Sequence, residues 1–320
     1  MKKLLILSLL GLILFSSCGA NKMKEPYYFS KDSYTINQSY MGSGSYFVYE
    51  IPSSSWNQSN LNAKFVNQPI YFIDSLADLN ILFYNMLQQG YLEFNVVLPF
   101  EFGAEEYYDS YYYFMASNPD NWDFYYYSGS VKTQDGTTIK TTGFSFFRLD
   151  GYDDSAMLEM AGDFVASLQG QSDRDKVIAI HRYIVLNTAY DMNAFYSSDS
   201  QDYWNASSAY SSLINHKAMC LGYAKAFYVL AREAGLPVLI TSGMAGVEEH
   251  AWNLVYLDNA WYQVDATWDD PTPDVSGRVL EDYLLRPVSY GPWSDHRYVG
   301  FAFDLEQYLD FGNAIYGLNK

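Results

Sequence analysis

Apolar positions along this chain change period several times, and each change marks an element. Ser75 to Asp78 forms a capping box, and Leu79, Leu82, Phe83 and Met86 then recur at helical spacing up to Gly90, which predicts a helix with a glycine stop. Tyr91 to Leu98 reads as a strand closed by Pro99, Val131–Thr133 and Thr137–Ile139 flank an Asp135-Gly136 hairpin turn, and Gly143 to Leu149 is another strand. Upstream, clusters of Ser, Gly and Asn between Asn37 and Asn60 read as loops around one aromatic strand, Tyr46 to Ile51. From Ser155 the period turns helical: Met157, Met160, Ala161, Phe164 and Leu168 share a face that ends near Gly170. Ser172 to Asp175 then caps a helix with Val177, Ile180, His181 and Ile184 on one side. Polar residues from Ser197 to Ser208 read as a loop, followed by a short helical segment from Ala209 to Ile214.

A third long helix begins at Cys220, with Tyr223, Phe227, Leu230 and Ala234 on one stripe. It stops at Gly235, and Pro237 prevents continuation. Leu236 to Thr241 is a continuous apolar run, the pattern of a strand buried on both faces. Ala251–Leu257 and Ala260–Ala266 pair as a hairpin around Asp258-Asn259, since both turn residues tolerate positive φ. The predicted fold class is α+β: a smaller α+β domain over 31–152 and a second domain over 153–320 with a C-terminal extension. With 49% apolar residues, the chain has material for two cores.

The tyrosine-rich stretch from Tyr107 to Tyr127 invites a reading as a sugar-stacking platform. Tyr equally fills half-buried sheet faces, and with 32 Tyr spread through the chain that is the reading adopted.

The first residues predict an export signal over 1–17: Lys2-Lys3, an apolar run from Leu4 to Phe15, then Ser16-Ser17 before Cys18. Leu14-Phe15-Ser16-Ser17-Cys18 resembles a bacterial lipobox, which would make Cys18 the lipidated first residue of the mature chain and residues 18–30 a tether. The alternative is ordinary secretion with Cys18 discarded; both place the protein outside the cytoplasm, in the first case on the cell membrane or outer membrane. Without Lys2 and Lys3 the chain carries 17 Lys and Arg against 37 Asp and Glu. A net charge near −20 excludes nucleic acid and anionic lipid as partners, leaving contact with the membrane to the lipid anchor.

If Cys18 carries lipid, Cys220 cannot pair within the chain, and an unpaired thiol in an exported protein asks for a reason. Its place at a helix start favours thiolate over thiol. His250 follows in His250-Ala251-Trp252-Asn253 and Asp265 in Val264-Asp265-Ala266-Thr267-Trp268. With the turn at Asp258-Asn259, Asp265 lies across from Trp252, so His250 and Asp265 are diagonal neighbours on one face, about 7–8 Å apart at the backbone. Moving the turn by one residue breaks this dyad. A nucleophile, a base and an orienting carboxylate are thus available.

Cys220 to Phe227, His250 to Asn253 and Val264 to Pro271 together resemble the three ordered motifs of the bacterial transglutaminase-like superfamily. Ile180-His181-Arg182-Tyr183-Ile184 with Tyr190-Asp191, and Asp282-Tyr283-Leu284-Leu285 with Asp295-His296, extend the resemblance over roughly residues 172–300. It implies a papain-like fold and mechanism for the C-terminal domain: His250 deprotonates Cys220, Asp265 holds the imidazole tautomer, and the thiolate attacks an amide to give a thioester acyl-enzyme. Water then makes a protease, an amine a transglutaminase, and both outcomes stay open. The Cys220 backbone N–H is one oxyanion donor, with Trp204, Asn187 and Tyr190 as candidates for the second. The expected substrate is a protein or peptide at the cell surface, with no cofactor and no metal.

His181, His216 and His296 read as structural histidines. Asp269, Asp270 and Asp274, interspersed with Pro271 and Pro273, read as a turn rather than a cation loop. The second functional class is a non-catalytic surface binding or adhesion protein that uses the aromatic N-terminal domain.

Overall fold

The computed structural model describes residues 37–41, 44–49, 70–73, 75–88, 90–118, 122–132, 138–148, 154–298 and 304–318. The predicted export signal, Cys18, the tether and the Asp135-Gly136 turn lie outside the described residues. The first region runs β1 (Asn37–Met41), β2 (Gly44–Tyr49), β3 (Ile70–Ile73), α1 (Leu76–Gln88), β4 (Glu93–Val97), α2 (Ala104–Ser117), β5 (Trp122–Lys132) and β6 (Thr138–Arg148). Its six strands lie in the order β1-β2-β3-β4-β6-β5, with β3 and β4 parallel across α1 and the other pairs antiparallel.

The predicted cap of α1 is formed: Ser75 Oγ accepts from the Asp78 N–H at 3.1 Å and donates to Asp78 Oδ2 at 2.7 Å, and Gly90 sits at φ +76° beyond its end. The tyrosine-rich stretch corrects the expectation of a sheet face in its first half, because residues 104–117 are helix α2, begun where the Gly103 N–H donates to Glu106 Oε2 at 2.9 Å. Tyr107 and Tyr111 are four residues apart, a helical spacing, and both rings lie against Phe124 of β5 at 5.1 and 6.1 Å. Phe83 of α1 is the hub of this core, with the Phe124, Phe144 and Phe146 rings 4.7–5.4 Å away.

The second region continues with α3 (Ser155–Ala166), α4 (Asp173–Asn187), β7 (Ala189–Tyr190), α5 (Met192–Phe195), α6 (Ser200–Ala206), α7 (Ala209–Leu213), β8 (Lys217–Ala218), α8 (Cys220–Glu233), β9 (Val238–Ala245), β10 (Glu248–Leu257), β11 (Ala260–Val264), β12 (Leu284–Pro287), β13 (His296–Tyr298) and α9 (Leu305–Tyr316). Its five-stranded sheet has the order β12-β11-β10-β9-β13, antiparallel throughout. Two expectations change. The polar stretch read as a loop contains helix α6, capped by Asp199 Oδ1 accepting from the Gln201 N–H at 2.8 Å. The apolar strand predicted from Leu236 begins at Val238 and runs on to Ala245.

Side chains alternate across this sheet, so each face joins a different core. Val238, Ile240, Val255 and Val264 pack with Tyr223, Phe227 and Leu230 of α8. Leu239, Leu254 and Trp261 face the other way and share a core with Phe83, Phe94 and Phe144 of the first region and with Tyr308, Phe311 and Ile315 of α9. The central sheet therefore holds α8 on one side and both α9 and the N-terminal region on the other. Half-buried Arg232, near the end of α8, donates to the hydroxyls of Tyr84 and Tyr228, both at 3.0 Å, tying α8 to α1.

Candidate active site

Cys220 is the first residue of α8 and is partly exposed. Two contacts fix the chain entering this helix: the Met219 N–H donates to the Ala206 carbonyl at 2.8 Å, and β8 pairs with β7. Gly222 explains the small residue two places after the cysteine. A Cβ there would stand 2.7 Å from the Ala206 carbonyl oxygen and 2.8 Å from the Ala218 Cβ, so any side chain would push the helix start away from the turn that anchors it.

His250 lies on β10, and the spacing between that strand and α8 is set by the same motif. Asn253 Nδ2 donates to the Ala224 carbonyl of α8 at 2.9 Å. The predicted hairpin turn is present, with Asp258 at φ +51° and Asn259 at +63°, and Leu257 opposes Ala260 while Asn253 opposes Val264. In that register His250 Nε2 and Asp265 Oδ2 come to 2.7 Å. Both side chains are buried, and the imidazole stacks on Trp252 with ring centroids 6.0 Å apart.

Electrostatics orient the pair. Burial alone would raise the Asp265 pKa, but His250 and His296 outweigh it and hold the carboxyl well below its ordinary value. An ionised carboxylate only accepts, so His250 carries its proton on Nε2 and turns Nδ1 to the remaining neighbour, the Cys220 thiol, which contacts the ring. Burial would lower the His250 pKa; Asp265 and then Cys220 overcome this and raise it to about 10. Asp265 Oδ1 is held separately, accepting from the N–H groups of Thr267 at 2.9 Å and Trp268 at 3.2 Å.

The three oxyanion candidates fall in different places. Tyr190 stands against the start of α8, its phenol facing both the thiol and the backbone N–H of Cys220. Burial first, then Cys220, Tyr203 and Glu248, raises the Tyr190 pKa, so the hydroxyl stays protonated as a donor. Asn187 ends α4 and spends its amide on the Tyr183 carbonyl of its own helix at 2.7 Å. Trp204 is exposed on α6, edge-on to Tyr203 at 5.4 Å. Burial and then the nearby Cys220 raise the Tyr203 pKa.

The aspartates after Asp265 brace the site. Asp269 is wholly buried and meets His181 Nε2 at 2.8 Å while accepting from the Tyr283 N–H at 3.0 Å. Asp270 Oδ2 takes the Tyr223 hydroxyl of α8 at 2.7 Å, and burial pushes its pKa up to about 6. His296, read from the sequence as a structural histidine, is buried, and its Nε2 lies 2.9 Å from Asp265 Oδ2, the same oxygen that holds His250. The ligand atoms of His250, Asp265 and His296 lie within 4.8 Å of one another, a grouping that could surround a metal ion, although the hydrogen bonds already account for each of them.

Residues 161–266, which include Cys220, His250 and Asp265 but not His296, match the profile of the Transglutaminase-like superfamily. The mixed α+β fold thus includes a stretch, 161–266, that is similar to the transglutaminase-like domain. It is 30% identical to the kyphoscoliosis peptidase of Mus musculus over 134 residues, 38% of this chain and 19% of that protein. The chain thus spans about a fifth of the length of the curated relatives it matches. Among solved structures, one titled as a TGase is 19% identical with a TM-score of 0.35, covering 66% of this chain and 63% of its own. A putative cysteine protease from Cytophaga hutchinsonii is 16% identical with a TM-score of 0.28, covering 56% and 74% respectively.

Proposed function

We propose that this chain is a cysteine acyl-transfer enzyme of the cell surface, acting on protein or peptide amides through Cys220, His250 and Asp265. The carrying observation is His250, fixed by Asp265 at 2.7 Å on Nε2 and touching the Cys220 thiol with its other side. His250 Nδ1 takes the thiol proton, and Sγ attacks the amide carbon. A C–S bond forms while the carbonyl electron pair moves onto oxygen. The Cys220 N–H at the helix start and the Tyr190 hydroxyl are the two donors for that oxyanion. Collapse breaks the C–N bond, and the leaving amine takes the proton from the imidazolium. Water or a primary amine, deprotonated by His250, then attacks the thioester and releases the thiol.

Iodoacetamide labelling tests the dyad. Cys220 is expected to alkylate faster than a model thiol, and His250→Ala to remove the excess; ordinary kinetics in the wild type count against an enzyme. Incubation with a labelled amine and surface proteins separates the outcomes: covalent amine incorporation marks transfer, new N-termini mark hydrolysis. The surface location rests on Lys2-Lys3, the apolar run and Cys18. Metabolic labelling with a fatty-acid alkyne is expected in the wild type and not in Cys18→Ala. Among the described residues no helix is long and apolar enough to cross a membrane. The adhesion alternative gains nothing from Tyr107, Tyr111 and Tyr113, whose rings pack against the N-terminal core and α9.

A further inference from the structure

Asp265 Oδ2 accepts from two imidazoles, His250 Nε2 at 2.7 Å and His296 Nε2 at 2.9 Å. The second has an anchor of its own: His296 Nδ1 lies 2.8 Å from Asp295 Oδ1, and Asp295 Oδ2 accepts the Tyr283 hydroxyl at 2.6 Å. The ring is therefore held at both nitrogens, each within hydrogen-bond distance of a carboxylate oxygen. The rings of Trp268, Trp293, Trp252 and Tyr283 close around His296 with centroids at 4.7, 5.0, 5.2 and 5.4 Å and fix its plane. His296 is buried, so it meets no substrate.

The fold makes room for this contact. β13 brings His296 to Asp265 by pairing with β9, where Tyr298 opposes Gly243 and the Gly246 N–H donates to the Asp295 carbonyl at 2.7 Å. A Cβ at Gly243 would fall 2.0 Å from the Arg297 carbonyl oxygen and 2.9 Å from the Trp252 ring. Without that glycine the strand carrying His296 could not close on the site.

We propose that His296 is a positioning residue for the acyl-transfer reaction: its Nε2–H holds the Asp265 carboxylate in the orientation that keeps Oδ2 on His250, and Asp295 with Tyr283 fixes His296 in turn. This rests on the reading of Cys220 and His250 as nucleophile and base. His250 changes charge during each cycle, so its own hydrogen bond to Asp265 varies in strength through the reaction. The His296 donor does not take part in that cycle and gives Oδ2 a constant partner.

The test is the pH dependence of Cys220 alkylation by iodoacetamide, which needs no substrate. The groups facing this network are Cys220 from α8, His250 from β10, Asp265 after β11, Tyr283 before β12, and Asp295 and Tyr298 beside or on β13. His296→Ala is expected to slow alkylation at pH 6 by about 10-fold and to move the onset of reactivity to higher pH. His296→Gln, whose amide can donate to Asp265, is expected to recover to within about 3-fold of wild type. If His296→Ala keeps the wild-type profile, or His296→Gln is as slow as His296→Ala, the proposal is overturned. If His296→Ala does not fold, Asp295→Asn decides: a slower rate at pH 6 supports the proposal, a wild-type rate overturns it. A wild-type protein that alkylates like a model thiol at every pH sinks the Cys220–His250 reading and this proposal together; raised wild-type reactivity retained in His296→Ala sinks this proposal alone.

Discussion

Two buried histidine–aspartate pairs are both tied to the backbone of Tyr283, just before β12, through the Asp265 N–H and the Asp269 carboxylate. In one, His250 Nε2 meets Asp265 at 2.7 Å; in the other, His181 Nε2 meets Asp269 at 2.8 Å. The distances are nearly equal and both pairs are shielded from water. What differs is the other ring nitrogen. His250 turns it to a partly exposed thiol, whereas His181 Nδ1 is buried with no hydrogen-bond partner among the described residues. The same pair of groups thus faces a thiol in one place and only braces the fold in the other. The deciding factor is a nucleophile within reach, not the pair itself.

The sharpest way to break this comparison is to remove each histidine's function in turn. His250→Ala is expected to lower the turnover or alkylation rate of Cys220 by about 10²–10⁴-fold, the usual contribution of a positioned base, while thermal denaturation shows a smaller loss of stability. Asp269→Ala should do the reverse: it leaves a buried histidine unpaired and costs about 3–5 kcal/mol in chemical denaturation. The alkylation rate per folded molecule should stay within about 3-fold of wild type, since the thiol and its base are untouched. An Asp269→Ala protein of normal stability and poor thiol reactivity would erase the distinction.

Gly222→Ala comes next, with an expected cost of about 1–3 kcal/mol for a Cβ forced against the Ala206 carbonyl, and with slower alkylation because the helix start carries Cys220. The pH dependence of stability sharpens the same contrast. His250, raised above its ordinary value, contributes stability that is fully present below about pH 6.5 and lost as pH rises through about 10. Denaturation at pH 6, 8 and 10 should show that loss in the wild type and not in His250→Gln. Asp270 has the opposite consequence near neutrality: with its carboxyl raised to about 6, the folded state is favoured below pH 4 and loses that benefit as pH rises through 6. Asp270→Asn keeps an acceptor for Tyr223 and is expected to gain about 1–2 kcal/mol at pH 7, seen as a higher denaturation midpoint and a flatter profile between pH 4 and 6.

Much of the candidate site could be read from the chain because its signals are local. Asp258-Asn259 favours a two-residue turn, that turn fixes the register of β10 and β11, and the register brings His250 to Asp265. The caps at Ser75 and Ser172 were legible for the same reason. Helix α6 has a local signal too, since Asp199 is a good cap residue standing just before it, but its polar composition hides it among loop residues. Tyr107 and Tyr111 carry the helical signal in their four-residue spacing, which aromatic content, common to strands and helices, masks.

By itself, then, the sequence determined a thiol at a helix start and an imidazole and carboxylate on one hairpin face, since capping, turn conformation and the two-residue strand period act over a few neighbouring residues. Only the tertiary structure decided which hydroxyl stands beside the Cys220 N–H, why Gly222 and Gly243 have no side chain, and that His296 shares Asp265 with His250. Each of these depends on segments joined across the fold, β7 beside β8 and β13 beside β9, and no local pattern encodes which distant strand will pair.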